Sequence, residues 1–172
     1  MARNVEIKAR LQNLEATRRL VEAIADGPGE PVEQSDTFFR VEGARLKLRE
    51  RSGDDAELIY YRRADETGPK ASDYETVLVR DAAALRELLG AALGVVGRVI
   101  KRRLVYRVGR TRIHLDEVRD LGSFLELEVE LAPGEPADVG VREAKRLMGA
   151  LEIGEEALIG GAYVDLLDGR GP

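Results

Sequence analysis

Charged side chains fall on alternate positions through long stretches of this chain, separated mostly by apolar residues. Glu6-x-Lys8-x-Arg10, Arg45-x-Lys47-x-Arg49, Lys101-x-Arg103, Arg112-x-His114-x-Asp116 and Glu126-x-Glu128-x-Glu130 are the clearest runs. Successive side chains of an extended chain point to opposite sides, so each run predicts a strand with one charged face and one apolar face. Several of the runs are also blocks of one sign, Arg45 to Arg49 and Lys101 to Arg103 basic and Glu126 to Glu130 acidic. That arrangement resembles a cradle for phosphate set against a site for a cation.

Reading a period of two as strand and of 3.6 as helix maps the chain. Strands are expected at 2–10, 36–42, 45–51, 57–63, 73–80, 98–108, 110–117 and 123–131. Helices are expected at 11–25, with Leu11, Leu14, Val21 and Ile24 on one side, and at 82–93, capped by Asp81, with Leu85, Leu88 and Leu89 inward. A third spans 138–151, and a short helical segment near 155–167 is weakened by Gly160-Gly161. Asp26 to Pro31 and Ala132 to Pro136 read as breaks, Ser52-Gly53-Asp54-Asp55 as a turn, and Gly94 and Gly97 as a helix exit and turn.

Strands of this number joined by short turns can close into a barrel, which removes exposed edges. The expected fold is α+β: a closed eight-stranded antiparallel β-barrel with helices packed on the outside. Helices would cover the apolar face, so the charged face must point inward and line a tunnel. Lysines and arginines there need carboxylates, water or an anionic ligand, because an isolated buried charge is costly. One domain over 1–167 accounts for the length, with 168–172 as a disordered tail.

Composition narrows the function classes. A net charge of −5 and a pI near 5.2 argue against a nucleic-acid partner held by bulk electrostatics. Local basic clusters within an acidic chain point to a small anion. The absence of cysteine excludes disulfides, thiolate metal sites and cysteine nucleophiles. No apolar run is long enough to span a bilayer, so the expectation is a cytoplasmic protein without a membrane partner. There is no Walker-type loop and no Gly-x-Gly-x-x-Gly after a strand.

The basic set is Lys8, Arg45, Lys47, Arg49, Arg62, Arg63, Lys101 and Arg103; arginine brings a planar donor fork to phosphate and lysine a compact charge. The acidic set is Glu6, Asp116, Glu126, Glu128 and Glu130, with Asp73 and Glu75 as further candidates. Oxygen ligands on rigid strands suit Mg²⁺ or Mn²⁺. The same carboxylates could instead form salt bridges with the basic strands. His114, the only histidine, is read as a wall residue making hydrogen bonds rather than as a base.

These residues carry a resemblance to the CYTH superfamily, the triphosphate tunnel metalloenzymes, which groups class IV adenylyl cyclases with thiamine and inorganic triphosphatases. Val5-Glu6-Ile7-Lys8 resembles its amino-terminal Glu-x-Glu-x-Lys signature, Asp36-Thr37-Phe38-Phe39 its Asp-x-Tyr-Phe strand and Leu46-Lys47-Leu48-Arg49 its Leu-Arg-x-Arg strand. Lys101-Arg102-Arg103 with Tyr106, the strand Leu121 to Glu128, and Tyr163-Val164-Asp165-Leu166-Leu167 resemble three later elements, in order and at fitting spacing. The resemblance implies phosphate contacts at Lys8, Lys47, Arg49, Arg62, Lys101 and Arg103, with Lys8, Arg49 and Arg103 stabilising the transferring group. It implies metal contacts at Glu6, Glu126 and Glu128, with Asp116 as a further ligand. Departures are Asn4 in place of the first signature acid, Lys47 for an arginine, Ala71 for an arginine and Ala162 for a serine.

The expectation is a phosphohydrolase that uses Mg²⁺ or Mn²⁺ on a linear triphosphate, inorganic or organic. A class IV adenylyl cyclase making cyclic AMP and pyrophosphate is the first alternative, and a non-catalytic polyphosphate or nucleotide binder the second. A homodimer is compatible with either.

Overall fold

In a computed structural model, which describes residues 1–53 and 56–169, eight strands form one closed antiparallel barrel. In chain order these are β1 (Ala2–Leu11), α1 (Leu14–Ile24), β2 (Glu30–Phe39), β3 (Arg45–Arg51), β4 (Ala56–Arg63) and β5 (Lys70–Val79). There follow α2 (Ala82–Leu93), β6 (Val95–Val108), β7 (Thr111–Val118), β8 (Gly122–Glu130), α3 (Ala137–Ala150) and α4 (Tyr163–Leu167). Around the barrel the order is β1-β5-β4-β3-β2-β6-β7-β8, and β8 returns to β1.

The alternation of the sequence sorts side chains as expected. Val5, Ile7 and Ala9 of β1, Ile113 and Leu115 of β7, and Leu125, Leu127 and Val129 of β8 are buried outside the barrel wall. They meet Ala144, Leu147, Met148 and Leu151 of α3 and Val21 of α1. The main hydrophobic core therefore lies between wall and helices, and each large aliphatic side chain buried there contributes about 1.5–3 kcal/mol. Close approach of α3 depends on Gly140, where a Cβ would lie 2.7 Å from Val5 Cγ2.

A second apolar cluster closes one end of the barrel: Phe38, Ile59, Tyr61, Val99, Val118 and Phe124 of the strands against Ala162, Tyr163 and Val164. Arg45 holds this plug, bonding Asp65 and Asp165 at 2.7 Å each. This cluster bounds the charged interior of the barrel at that end.

Five local expectations need correction. Leu11 is the last residue of β1, paired with Ser123, and the first helix starts only at Leu14 after its Asn13 cap. β2 begins at Glu30 and ends at Phe39, six residues earlier than the expected start. Its first residues pair only with β6, so Pro31 faces no neighbour on the β3 side and its missing N–H costs no ladder bond. β5 likewise begins at Lys70, pairing with Glu6, rather than at 73. Gly97 is no turn but lies inside β6 opposite Phe38, where a Cβ would sit 2.7 Å from Val164 Cγ2. Leu88 is exposed, because α2 rests on β2 and β3 through a narrow face that leaves Leu85 and Leu89 half-buried.

The 155–167 segment resolves into a single 3-10 turn at Glu155–Ala157, a bridge from Leu158 to Ala9, and α4. Asp81 caps α2 as expected, accepting from the Ala84 N–H at 2.9 Å. Asp168 and Gly169 donate backbone hydrogen bonds to Val164 and Leu166. The rest of the expected tail, 170–172, and the turn residues Asp54 and Asp55 lie outside the described residues. No helix among the described residues is long and apolar enough to cross a membrane, which says nothing of a β-barrel span.

Candidate active site

Inward-facing positions from every strand meet around one cavity of about 360 Å³. Eight lysines and arginines line it, against five carboxylates, so the lumen carries an excess of positive charge inside an acidic protein. Lys8, Lys47, Arg49, Lys101 and Arg103 all reach it. Arg62 does not. It is exposed on the outer face of β4, where its guanidinium lies 5.9 Å from the Tyr60 ring, and Arg63 is the cation that lines the cavity. Strand parity is the reason, since Glu57, Ile59, Tyr61 and Arg63 share the inner side.

Each inward cation is held by a carboxylate. Asp36 accepts Nε and Nη2 of Arg49 at 2.9 Å each and lies 3.2 Å from Lys47 Nζ. Gln34 donates to the same carboxylate at 3.1 Å. Asp116 accepts Nε and Nη2 of Arg103 at 2.6 Å each, Lys101 Nζ at 3.0 Å and the Tyr163 hydroxyl at 3.0 Å. Glu126 accepts Arg103 Nη2 at 2.5 Å and lies 3.3 Å from Lys8 Nζ, while Glu6 pairs with Arg63. Opposed charges fix side chains that would otherwise be mobile, and each guanidinium keeps N–H donors beyond those its carboxylate takes.

The electrostatics follow from burial and neighbours. Burial alone would raise the Asp36 carboxyl, but the Arg49 and Lys47 charges overcome it and hold the group well below the usual carboxylate range. For Asp116 the same contest, won by Arg103 and Lys101, ends at about 2. Glu126 is held low against burial by Lys101, Lys8 and Arg103. Burial pushes Lys47 down to about 8, with the Arg49 charge adding to the effect, and pushes Lys70 down to about 8 beside Arg63. His114 is lowered by burial and by Arg103, which favours the neutral imidazole.

The expected acids divide. Glu126 and Glu128 face one another's side of the lumen with His114, and one ligand atom from each of the three lies within 4.8 Å of the other two. Glu6 lines the cavity but is turned to Arg63, and Asp116 is wholly buried with both oxygens engaged by Arg103, Lys101 and Tyr163. Neither belongs to that group. Glu130 binds Arg112 at 2.5 Å toward the open end. Asp73 pairs with Arg3 at 3.0 Å and Glu75 is exposed, both on the outer parity of β5.

His114 lines the wall as expected, but its Nδ1 makes no hydrogen bond although the residue is only 4% exposed. A buried nitrogen that makes no hydrogen bond, yet faces two carboxylates held low by their neighbours, fits a divalent cation held by this group.

Three contributors were not singled out as site residues by sequence: Asp36, Gln34 and Tyr163. Asp36 and Gln34 alternate with Phe38 and Val32 on the inner face of β2, a signal hidden because the strand was expected to start at 36. Tyr163 lies 4.0 Å beneath Lys8 Nζ and 4.8 Å beneath Lys101 Nζ by its ring centroid, an approach across the closed end that no local pattern encodes.

The chain matches the family model of the CYTH domain over residues 2–163. Among solved structures it is similar to the PH1012 protein of Pyrococcus horikoshii OT3, with 23% identity, a TM-score of 0.85 and coverage of 95% of this chain and 98% of that one. It is similar to a putative adenylate cyclase from Vibrio parahaemolyticus, with 23% identity, a TM-score of 0.76 and coverage of 96% and 97%. A third is a putative adenylyl cyclase from Hippeastrum described as revealing a dominant triphosphatase activity, with 19% identity, a TM-score of 0.62 and coverage of 97% and 96%. At such identities the likeness is one of fold. No curated protein matches the chain.

Proposed function

The chain belongs to the CYTH family, and on that premise we propose that it hydrolyses a linear triphosphate with the help of Mg²⁺ or Mn²⁺. The observation that carries the reading is the convergence of Lys8, Lys47, Arg49, Arg63, Lys101 and Arg103, from four strands, on a single cavity with an acidic corner. A polyanion is the ligand class that satisfies such a wall.

Lys47, Arg49 and Lys101 hold the chain of phosphates from β3 and β6, each already oriented by Asp36 or Asp116. Lys8 and Arg103 flank Glu126 and so stand where the transferring phosphoryl meets the acidic corner. Glu126 and Glu128 are the residues that would hold the ion. When bound, the ion supplies charge neutralisation on the phosphate oxygens and a more acidic water. Attack of water on the terminal phosphorus breaks its bond to the bridging oxygen and yields phosphate and the shortened polyphosphate. Little covalent help is needed, since phosphoryl transfer depends mainly on positioning and charge stabilisation.

Hydrolysis is favoured over cyclisation of a nucleotide by the state of the aromatic rings at the closed end. Phe38 and Tyr61 each lie within 6 Å of Lys47 Nζ, at 5.6 and 5.3 Å, and Tyr163 lies under Lys8 and Lys101, so these faces meet cations rather than a base. The Hippeastrum protein, of the same fold, is described as having a dominant triphosphatase activity.

The test is incubation with tripolyphosphate, ATP and thiamine triphosphate, with Mg²⁺ or Mn²⁺ in turn, and separation of phosphate, pyrophosphate and cyclic nucleotide. Metal-dependent phosphate release is expected. Cyclic AMP with pyrophosphate as the products from ATP would instead establish the cyclase, and metal-independent binding without turnover a simple binder.

A further inference from the structure

We propose that His114 is a direct ligand of the divalent ion, through Nδ1, and that this nitrogen makes the site select Mn²⁺ over Mg²⁺. The inference rests on the reading that Glu126 and Glu128 hold an ion, and it deepens that reading.

The geometry singles out one atom from each of three side chains. His114 Nδ1 lies 3.6 Å from Glu126 Oε2 and 3.8 Å from Glu128 Oε1. Both distances exceed hydrogen-bond range, which ends near about 3.2 Å. Ligands about 2.1 Å from a common ion, however, sit roughly 3.0 to 3.4 Å apart, so each histidine–carboxylate pair needs to close by only a few tenths of an ångström, while the two carboxylate atoms, within 4.8 Å of one another, close by what remains. Arg112 takes Oε2 of Glu128 at 2.8 Å, which directs Oε1 toward the histidine. Lys8 approaches Glu126 through Oε1 and leaves Oε2 on the histidine side, shared with Arg103.

His114 is opposite Glu126 in the β7–β8 register, so strand pairing rather than loop conformation sets their spacing. The nitrogen is buried and makes no hydrogen bond; the only side chains it faces at close range are the two carboxylates that would share an ion with it. Mg²⁺ demands near-ideal octahedral oxygen surroundings and gives up its waters reluctantly, whereas Mn²⁺, which also favours oxygen donors, is a transition ion that accepts an imidazole nitrogen beside them.

Pulsed electron paramagnetic resonance of the intact protein loaded with MnCl₂ alone reads the bond directly. Directly coordinated imidazole produces ¹⁴N modulation on Mn²⁺, expected in wild type and lost in His114→Gln. Calorimetric titration should show Mn²⁺ affinity reduced at least about tenfold in His114→Gln with Mg²⁺ affinity little changed. Wild-type Mn²⁺ bound without ¹⁴N coupling overturns the inference while leaving the metal-dependent reading intact. Failure of wild type to bind Mn²⁺ overturns both. Because the wild-type spectrum is decisive by itself, the inference does not depend on the variant folding.

Discussion

Asp116 grips Arg103 by two hydrogen bonds of 2.6 Å from a position with no solvent exposure, and the same carboxylate accepts from Lys101 and Tyr163. A carboxylate in that setting is a structural counterion, and its removal leaves two buried cations facing each other. Asp116→Ala is expected to cost about 3–5 kcal/mol of stability, the usual penalty for stranding a buried charge. Urea denaturation measures this, and an unchanged midpoint would mean that Asp116 is dispensable to the wall.

Arg62 and Arg63 are neighbours in sequence with opposite fates. Arg63→Ala removes a cation from the cavity and strands Glu6, so tripolyphosphate affinity should fall by roughly tenfold or more. Arg62→Ala, on the exposed face, should leave affinity within error of wild type. Calorimetric titration of both variants decides the matter; equal losses would contradict the inward parity of β4.

Arg49→Lys tests geometry apart from charge. Lysine keeps the positive charge but cannot present a fork to Asp36 and phosphate together. Losing one charge-assisted hydrogen bond at about 1.5–3 kcal/mol corresponds to roughly ten- to hundredfold. The loss is expected in kcat/KM for the triphosphate, measured by phosphate release, with the melting temperature little altered.

The lowered lysines make binding pH-dependent in a stated direction. Burial and the Arg49 charge bring Lys47 from its ordinary 10.5 to about 8, and burial with Arg63 brings Lys70 to about 8. Between about 8 and 10.5 the unfolded chain therefore holds more protons at these sites than the folded one. Stability of the free protein should rise with pH across that window, because deprotonation relieves a cost that is present in full below it. Polyphosphate affinity should run the other way, weakening above about pH 8 as Lys47 loses its charge. Calorimetry near pH 8.5 in buffers of different ionisation enthalpy should detect proton uptake on binding tripolyphosphate. Zero uptake, or affinity that is flat from pH 7 to 9.5, would remove Lys47 from the phosphate wall.

Period-two charge alternation was sufficient to place Glu6, Lys8, Lys47, Arg49, Lys101, Arg103, Glu126 and Glu128 on one side of their strands, because the pleat allows no other outcome once one face is buried. The helices and the closed barrel followed from the same accounting, since an apolar outer face needs cover and a charged inner face needs enclosure. Tertiary structure alone decided the partners. That Asp116 is consumed by Arg103 and Lys101 and that His114 joins Glu126 and Glu128 depend on the register of neighbouring strands, and that Glu6 turns to Arg63 and Tyr163 lies beneath Lys8 depends on segments far apart in the chain. Local pattern fixes only which way a side chain points; barrel closure and register fix what it meets there, and with it which charges are neutralised and which remain for a ligand.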